Sequence, residues 1–351
     1  MNRRVVQKFI ERTSYGSLVG GIFMALNAGL TIAYVITGLL GGAMIGFLTV
    51  VLDRLLLKTG LRRQQFFVVL IIRSLAYLLV ISLSLLLVAS VYTAFDNNFT
   101  LEQLLTSHAL KSWIRDGQFT YGVLYIFVLL LVLQFVTLVS RLLGPNVLLN
   151  YMVGRYHSPK EEERIFMFMD LRASTTIAER LGHLKWHFFL NDFFFDIAQP
   201  VRKHRGEIYQ YVGDEVVISW PKEAGLRKIN CVAAFFEIWE IIATKRAYYL
   251  ETYGYEPVFK AGYHIGKVIA GEIGDFKRDI VFHGDTVNTA SRIQMECNHY
   301  NRRLLMSDTL LKQLDLGDQY TSEYITKIKL RGKEQILELY SLNPVQELVN
   351  G

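Results

Sequence analysis

Cysteine is almost missing: Cys231 and Cys297 are the only two in 351 residues, and both lie in the second half of the chain. Two thiols build neither a disulfide framework nor a CxxC motif, and their scarcity suits a reducing compartment. Charge is missing from a long early stretch, since no Asp, Glu, Lys or Arg occurs between Thr13 and Leu52. The eight histidines are scattered. His183 and His187 stand four apart, but no third ligand follows at a zinc-site spacing. A cleaved leader is not expected, because the N-terminal apolar run is too long and lacks a convincing cleavage site. The net charge is +6, yet the basic residues flank apolar runs rather than interleave with aromatics. That argues against nucleic acid as a partner and for membrane flanks.

Hydrophobic residues make up 51% of the chain, too many for an ordinary soluble protein. A span needs about 20 apolar residues, so Thr13–Leu52 holds two crossings, with the turn expected near Tyr34–Gly38. Phe66–Tyr92 is a third candidate, with Arg73 near enough to one end to snorkel, and Gly117–Ser140 is a fourth. Arg3, Arg4, Lys8 and Arg12 precede the first span, and Arg54, Lys58, Arg62 and Arg63 separate the second and third. The positive-inside rule then places the N-terminus and everything after Arg141 in the cytoplasm, in a multi-pass protein of the inner or plasma membrane. Gly16-x3-Gly20 and Gly38-x3-Gly42-x3-Gly46 suit close helix contact, either within one bundle or between two chains. The expected organisation is a transmembrane domain over 1–143, a connecting helix and linker over 144–163, a polar globular domain over 164–342 and a tail over 343–351.

In the polar half, Arg164–Met169 reads as a buried strand that ends in Asp170, followed by Ser174, Thr175 and Thr176 at a helix start. Such a junction holds a divalent cation beside a polyphosphate, or is a plain helix cap. The stripe Ile177, Leu181, Leu184, Phe188, Phe189, Phe193, Phe194 and Ile197 reads as core packing. Two β-rich runs meet at Gly213-Asp214 in a tight hairpin, which carries Asp214 to the same sheet end as Asp170. Two converging carboxylates suit a pair of Mg²⁺ ions. A long helix over about Glu223–Tyr253 and a strand pair from Val258 to Gly271 are expected next. Asn288 and Arg292 then share one face of a helix opening at Asp285-Thr286, and Lys329-Leu-Arg-Gly-Lys333 offers a point charge for phosphate.

Phe168-Met-Asp-Leu-Arg-Ala-Ser-Thr175, Val212-Gly-Asp-Glu215, Gly284-Asp-Thr-Val-Asn-Thr-Ala-Ser-Arg292 and Gly332-Lys333, in this order, resemble the catalytic domain of the class III adenylate and guanylate cyclases. The resemblance covers roughly residues 160–342. It implies an α+β, ferredoxin-like βαββαβ fold that works as a homodimer and binds a nucleoside triphosphate. It also implies Mg²⁺ or Mn²⁺, two per site. On one chain, Asp170, Leu171 and Asp214 would hold the metals, and the Leu171–Thr175 backbone, with Ser174 and Thr175, the triphosphate. From the other chain, Asn288 would orient the ribose, Arg292 stabilise the transition state and Lys333 bind the terminal phosphates. Arg303 would be a further phosphate ligand.

Two positions depart from the family pattern. Gln210 stands where adenylate cyclases typically carry Lys and many guanylate cyclases Glu, and Val281 replaces the usual polar partner. A side-chain amide reads either base and Val281 contacts neither. ATP is the expected substrate, with GTP as the alternative. A catalytically silent nucleotide sensor and a transport or scaffold protein are the competing classes. The intact Asp, Asp, Asn, Arg, Lys set argues against the first, and a single charge within the candidate spans argues against transport. A diguanylate cyclase is disfavoured by Val-Gly-Asp-Glu in place of Gly-Gly-Asp-Glu-Phe.

Overall fold

The computed structural model describes residues 3–28, 32–58, 65–96, 118–144, 147–329 and 336–345. The chain divides into two units, Met1–Leu143 and Gly144–Gly351.

The first unit contains α1 (Arg3–Ala28), α2 (Ile32–Lys58), α3 (Phe66–Asp96) and α4 (Gln118–Leu143). Among the described residues, two stretches are long and apolar enough to cross a membrane, Val35–Leu52 and Phe66–Ser84, while the apolar part of α4, Phe127–Ser140, is shorter. The break between the first two helices falls between Ala28 and Ile32, so Tyr34–Gly38 belongs to α2 and is not the turn. The glycines explain the difference, because they serve a helix contact rather than a bend. A Cβ on Gly16 would meet the Gly42 carbonyl oxygen at 2.2 Å, one on Gly20 the Gly38 oxygen at 2.1 Å, and one on Gly46 the Arg12 oxygen at 2.4 Å. Both ladders therefore press α1 against α2 within one chain. Arg73 also differs from expectation. It does not snorkel but is buried, on the same side of α3 as Leu70, Ser74 and Ser84.

The second unit opens with α5 (Val147–Val153), whose exposed Leu149, Met152 and Val153 leave it unburied. β1 (Lys160–Leu171) is twice the length read from its apolar run, because Glu161, Glu162 and Glu163 also pair, opposite Ile269, Val268 and Lys267. It is followed by α6 (Ser174–Lys203), β2 (Glu207–Val212), β3 (Glu215–Pro221) and α7 (Lys222–Leu226). Then come α8 (Asn230–Thr244), α9 (Arg246–Tyr253), β4 (Phe259–Ile273), β5 (Asp279–His283) and α10 (Asp285–His299). β6 (Leu304–Ser307), α11 (Asp308–Leu311), β7 (Tyr320–Lys329) and β8 (Ile336–Pro344) complete the unit. The strand order is β2-β3-β1-β4-β6-β8-β7, with β5 on β4. Its first four strands have the βαββαβ arrangement, with β1 antiparallel to both β3 and β4.

Alternation along β1 divides its side chains between two layers. Ile165, Met167, Met169 and Leu171 join the larger core, together with Phe189, Phe193 and Ile197 of α6 and Phe235 and Ile238 of α8. Phe166 and Phe168 face the other way, toward Ala290 of α10. The aromatic stripe of α6 is thus core as expected, although Leu184 and Phe188 are exposed. Asp192 and Asp196 are buried on that helix and accept from Tyr253 at 2.6 Å and Tyr249 at 2.8 Å, which ties α6 to α9. The expected single helix over 223–253 is interrupted where Lys228 and Ile229 take left-handed conformations (φ 52° and 47°).

The expected strand pair over 258–271 is one continuous strand, β4. Gly262 and Gly266 sit within it because α10 lies against it. A Cβ on Gly262 would be 2.2 Å from the Gln294 amide nitrogen, and one on Gly266 would be 2.5 Å from Thr286 Oγ1. Gly262→Ala should therefore lower stability by about 1–3 kcal/mol through overpacking against backbone. Denaturant unfolding of the full chain followed by tryptophan fluorescence checks this, and an unchanged midpoint would contradict the close approach.

Candidate active site

Asp170 is the last even-numbered residue of β1, so it lies on the α10 side of the sheet while its neighbours Met169 and Leu171 are in the opposite core. The register sets Met169 opposite Val216, and Val212 opposite Glu215 around the turn. Asp214 therefore sits at the tip of a hairpin whose second strand runs beside β1. Gly213, at φ 64°, supplies the left-handed residue that so tight a turn needs. The two carboxyls come within hydrogen-bonding reach of each other.

The electrostatics follow from this crowding. Burial, then the hydrogen bond and charge of Asp214, push the Asp170 carboxyl above the usual range, while Lys260 pulls it back. Glu215 is pushed up to about 7, first by burial and then by the charges of Asp170 and Asp214. Lys260 is buried and places Nζ 3.2 Å from Asp170 Oδ2, while Gln294 Nε2 donates to the same oxygen at 3.1 Å. Hard oxygen donors this close suit Mg²⁺ or Mn²⁺.

The helix that follows β1 is also prepared for an anion. Ala173 is left-handed (φ 54°) at the N-cap and no side chain caps α6, so the first backbone N–H groups are available for phosphate oxygens. Ser174 and Thr175 are its first two residues, and Thr175 is exposed. Leu171 pairs with Phe259, and its side chain is in the core. Arg172 braces the junction by donating to Asn301 Oδ1 at 3.3 Å and to the Arg302 carbonyl at 2.9 Å.

The remaining candidates are dispersed. Gln210 is exposed on β2, opposite Val217 and next to a register shift. Asn288 is exposed and Arg292 half-buried on α10, and neither has a hydrogen bond or ion pair among the described residues. Val281 pairs with Gly271, eleven positions along β4 from Lys260, roughly 35 Å at about 3.3 Å per residue. Within one chain Val281 and Asp170 cannot meet on one nucleotide. Arg303 is not with the carboxylates. Its guanidinium stacks 4.0 Å from the Trp239 ring centre, on the α8 side of the sheet, beside a cavity of about 250 Å³ lined by Phe235, Phe236 and Asn343. Lys333 lies outside the described residues.

Three residues of the cluster escaped the sequence reading: Glu215, Lys260 and Gln294. A lone lysine between Phe259 and Ala261 in an apolar run was the one available signal, since a buried ammonium needs a carboxylate partner.

Residues 157–344 match the family described as the adenylate and guanylate cyclase catalytic domain. The chain is 38% identical over 208 residues to adenylate cyclase 2 of Rhizobium meliloti (strain 1021), covering 59% of this chain and 57% of that protein. It is 22% identical over 203 residues to the adenylate cyclase of Anabaena cylindrica, covering 57% of this chain and 40% of that protein. The chain thus spans well under two thirds of the length of these relatives. A solved bacterial light-regulated adenylyl cyclase shares the fold, with a TM-score of 0.53 at 21% identity over 62% of each chain. With more than half of its length matched and the βαββαβ sheet in place, the chain belongs to the adenylate and guanylate cyclase catalytic domain family.

Proposed function

We propose that the protein is a membrane-anchored adenylate cyclase, active as a homodimer, that converts ATP to cyclic AMP and pyrophosphate. The observation that carries this reading is the meeting of Asp170 and Asp214 at the start of an uncapped helix. ATP is favoured because the relative at 38% identity is named an adenylate cyclase. The apolar stretches Val35–Leu52 and Phe66–Ser84 support membrane anchoring. In the multi-pass reading α1 and α4 complete the spans, and the charge distribution keeps the N-terminus and the catalytic unit in the cytoplasm.

In the reaction the ribose 3′-oxygen bonds to the α-phosphorus, the bond from that phosphorus to the β-bridging oxygen breaks, and the hydroxyl proton passes to solvent. Two Mg²⁺ or Mn²⁺ ions held by Asp170, Asp214 and the Leu171 carbonyl would acidify the hydroxyl and neutralise the triphosphate. Everything else falls to the protein's own groups. The N–H groups at the start of α6, with Ser174 and Thr175, bind phosphate oxygens. Lys260, already beside Asp170, offers its ammonium to the same polyphosphate. Arg292 supplies preorganised positive charge to the transition state and Asn288 orients the ribose. Lys333 contributes a further point charge to the terminal phosphates. Gln210 reads the base through its amide, and Val281 leaves that base edge without a polar partner.

Two copies are needed because the sets are separated. Val281 is far along β4 from Asp170, and Arg292 and Asn288 on α10 have no hydrogen bond or ion pair among the described residues. A two-fold arrangement would give two equivalent sites, each with carboxylates from one protomer and Asn288, Arg292 and Lys333 from the other.

Three outcomes are expected. Mixing Asp170→Ala with Asn288→Ala chains should restore cyclase activity through one intact site per mixed dimer; a mixture as inactive as its parents, with mixed dimers demonstrated, would rule out the shared site. Arg292→Ala should reduce kcat by on the order of 10²–10³ with a much smaller change in KM. Mn²⁺ should raise the unfolding temperature of the wild-type chain but not that of Asp170→Asn or Asp214→Asn. An equal rise in all three would place the metal elsewhere.

A further inference from the structure

The catalytic chemistry makes no use of Arg303, and the structure gives it a different setting. It stands at the wall of a cavity of about 250 Å³. Phe235, Phe236 and Trp239 of α8 bound the cavity on one side, and the segments 301–304 and 341–344 bound it on the other. No carboxylate lines it. Arg302 is already paired with Glu323. Arg303, by contrast, is exposed and forms no ion pair or side-chain hydrogen bond among the described residues.

Stacking on Trp239 occupies the face of the Arg303 guanidinium and leaves the N–H donors at its edge. Asn301 adds to them. Its side-chain oxygen accepts from Arg172, and its amide N–H groups have no partner among the described residues. An aromatic floor beneath one uncompensated positive charge suits a flat ring that carries one negative oxoanion group. Size narrows the choice. At about 30 Å³ per water the space equals roughly eight waters, enough for a single ring with a small substituent and too little for a nucleoside triphosphate.

The wall that carries these donors is also tied to the catalytic side. The Ala261 N–H donates to the Arg303 carbonyl at 2.8 Å, and Arg172 donates to the Arg302 carbonyl at 2.9 Å. Arg172 directly follows Leu171 in the turn that opens α6, so a ligand held by Asn301 and Arg303 bears on that turn through one side chain.

We propose that this cavity binds a small aromatic carboxylate, with its ring on the aromatic floor and its carboxylate on Arg303 and Asn301, and that binding adjusts nucleotide affinity through Arg172. The second half of the inference rests on the cyclase reading above; the first does not.

The test uses the full-length chain with fluorinated tryptophan at its four Trp positions, the Trp239 resonance being the one lost in Trp239→Phe. Benzoate added without nucleotide should move the Trp239 resonance saturably and leave the others in place. Benzyl alcohol, which has the ring without the charge, and cyclohexanecarboxylate, which has the charge without the flat ring, should each bind several-fold more weakly. Arg303→Gln should weaken benzoate several-fold, and Arg303→Lys, which keeps the charge without the fork, by less. Lack of saturation, an equal affinity for benzyl alcohol, or an unchanged benzoate affinity in Arg303→Gln would overturn the site. Benzoate should also shift the KM for ATP several-fold in wild type and not in Arg303→Gln. Saturable binding with an unmoved KM would overturn the coupling through Arg172. A chain that binds benzoate but forms no cyclic nucleotide contradicts the cyclase reading and not the cavity.

Discussion

The structure depends on a repulsion that the sheet register enforces. β1 delivers Asp170 and the β2–β3 turn delivers Asp214 to the same point, and Glu215 follows immediately. Held this close to Asp214 and partly out of water, Asp170 and Glu215 keep their protons to a higher pH than isolated carboxyls do, and Glu215 reaches about 7. Among the described residues Lys260 and Gln294 answer them, both on a single oxygen of Asp170. A cluster so acidic and so thinly compensated makes physical sense as a receptor for hard cations and the polyphosphate that accompanies them.

The same strand that opposes Asp170 also sets the rest of the machinery. Gly262 and Gly266 let α10 lie directly on β4, which brings Gln294 to Asp170. Asn288 and Arg292 on that helix have no hydrogen-bond or ion-pair partner among the described residues. The helix thus has one buried face that steadies Asp170 and polar side chains elsewhere that the proposed partner protomer would engage. The long β4 separates Val281 from the carboxylates for the same geometric reason. The proposed homodimer is a consequence of this division.

Much of the site was legible because its signals are local. An apolar run ending in Asp170 and a Gly-Asp pair between two β-rich runs specify a strand end and a turn without knowledge of any distant partner. Lys260 was hidden because its meaning comes from Asp170, ninety residues earlier and its partner across the β1–β4 ladder. The strand pair expected over 258–271 is one strand, and Gly262 and Gly266 within it answer the approach of α10. The break at Lys228 and Ile229 carries no glycine or proline to announce it. Arg73 read as a snorkelling flank because a sequence does not reveal which side of a helix faces its neighbours. Arg303 was assigned by proximity to a family pattern, and its stacking on Trp239 takes it to the other side of the sheet.

The central claim is that this cluster cyclises a nucleoside triphosphate. The most direct measurement is to incubate the purified full-length protein separately with ATP and GTP, each with Mg²⁺ or Mn²⁺, and identify the products. The account predicts cyclic AMP and pyrophosphate from ATP, lost when the divalent cation is chelated. Formation of neither cyclic nucleotide under any of these conditions, by a protein shown to be folded and dimeric, would contradict it.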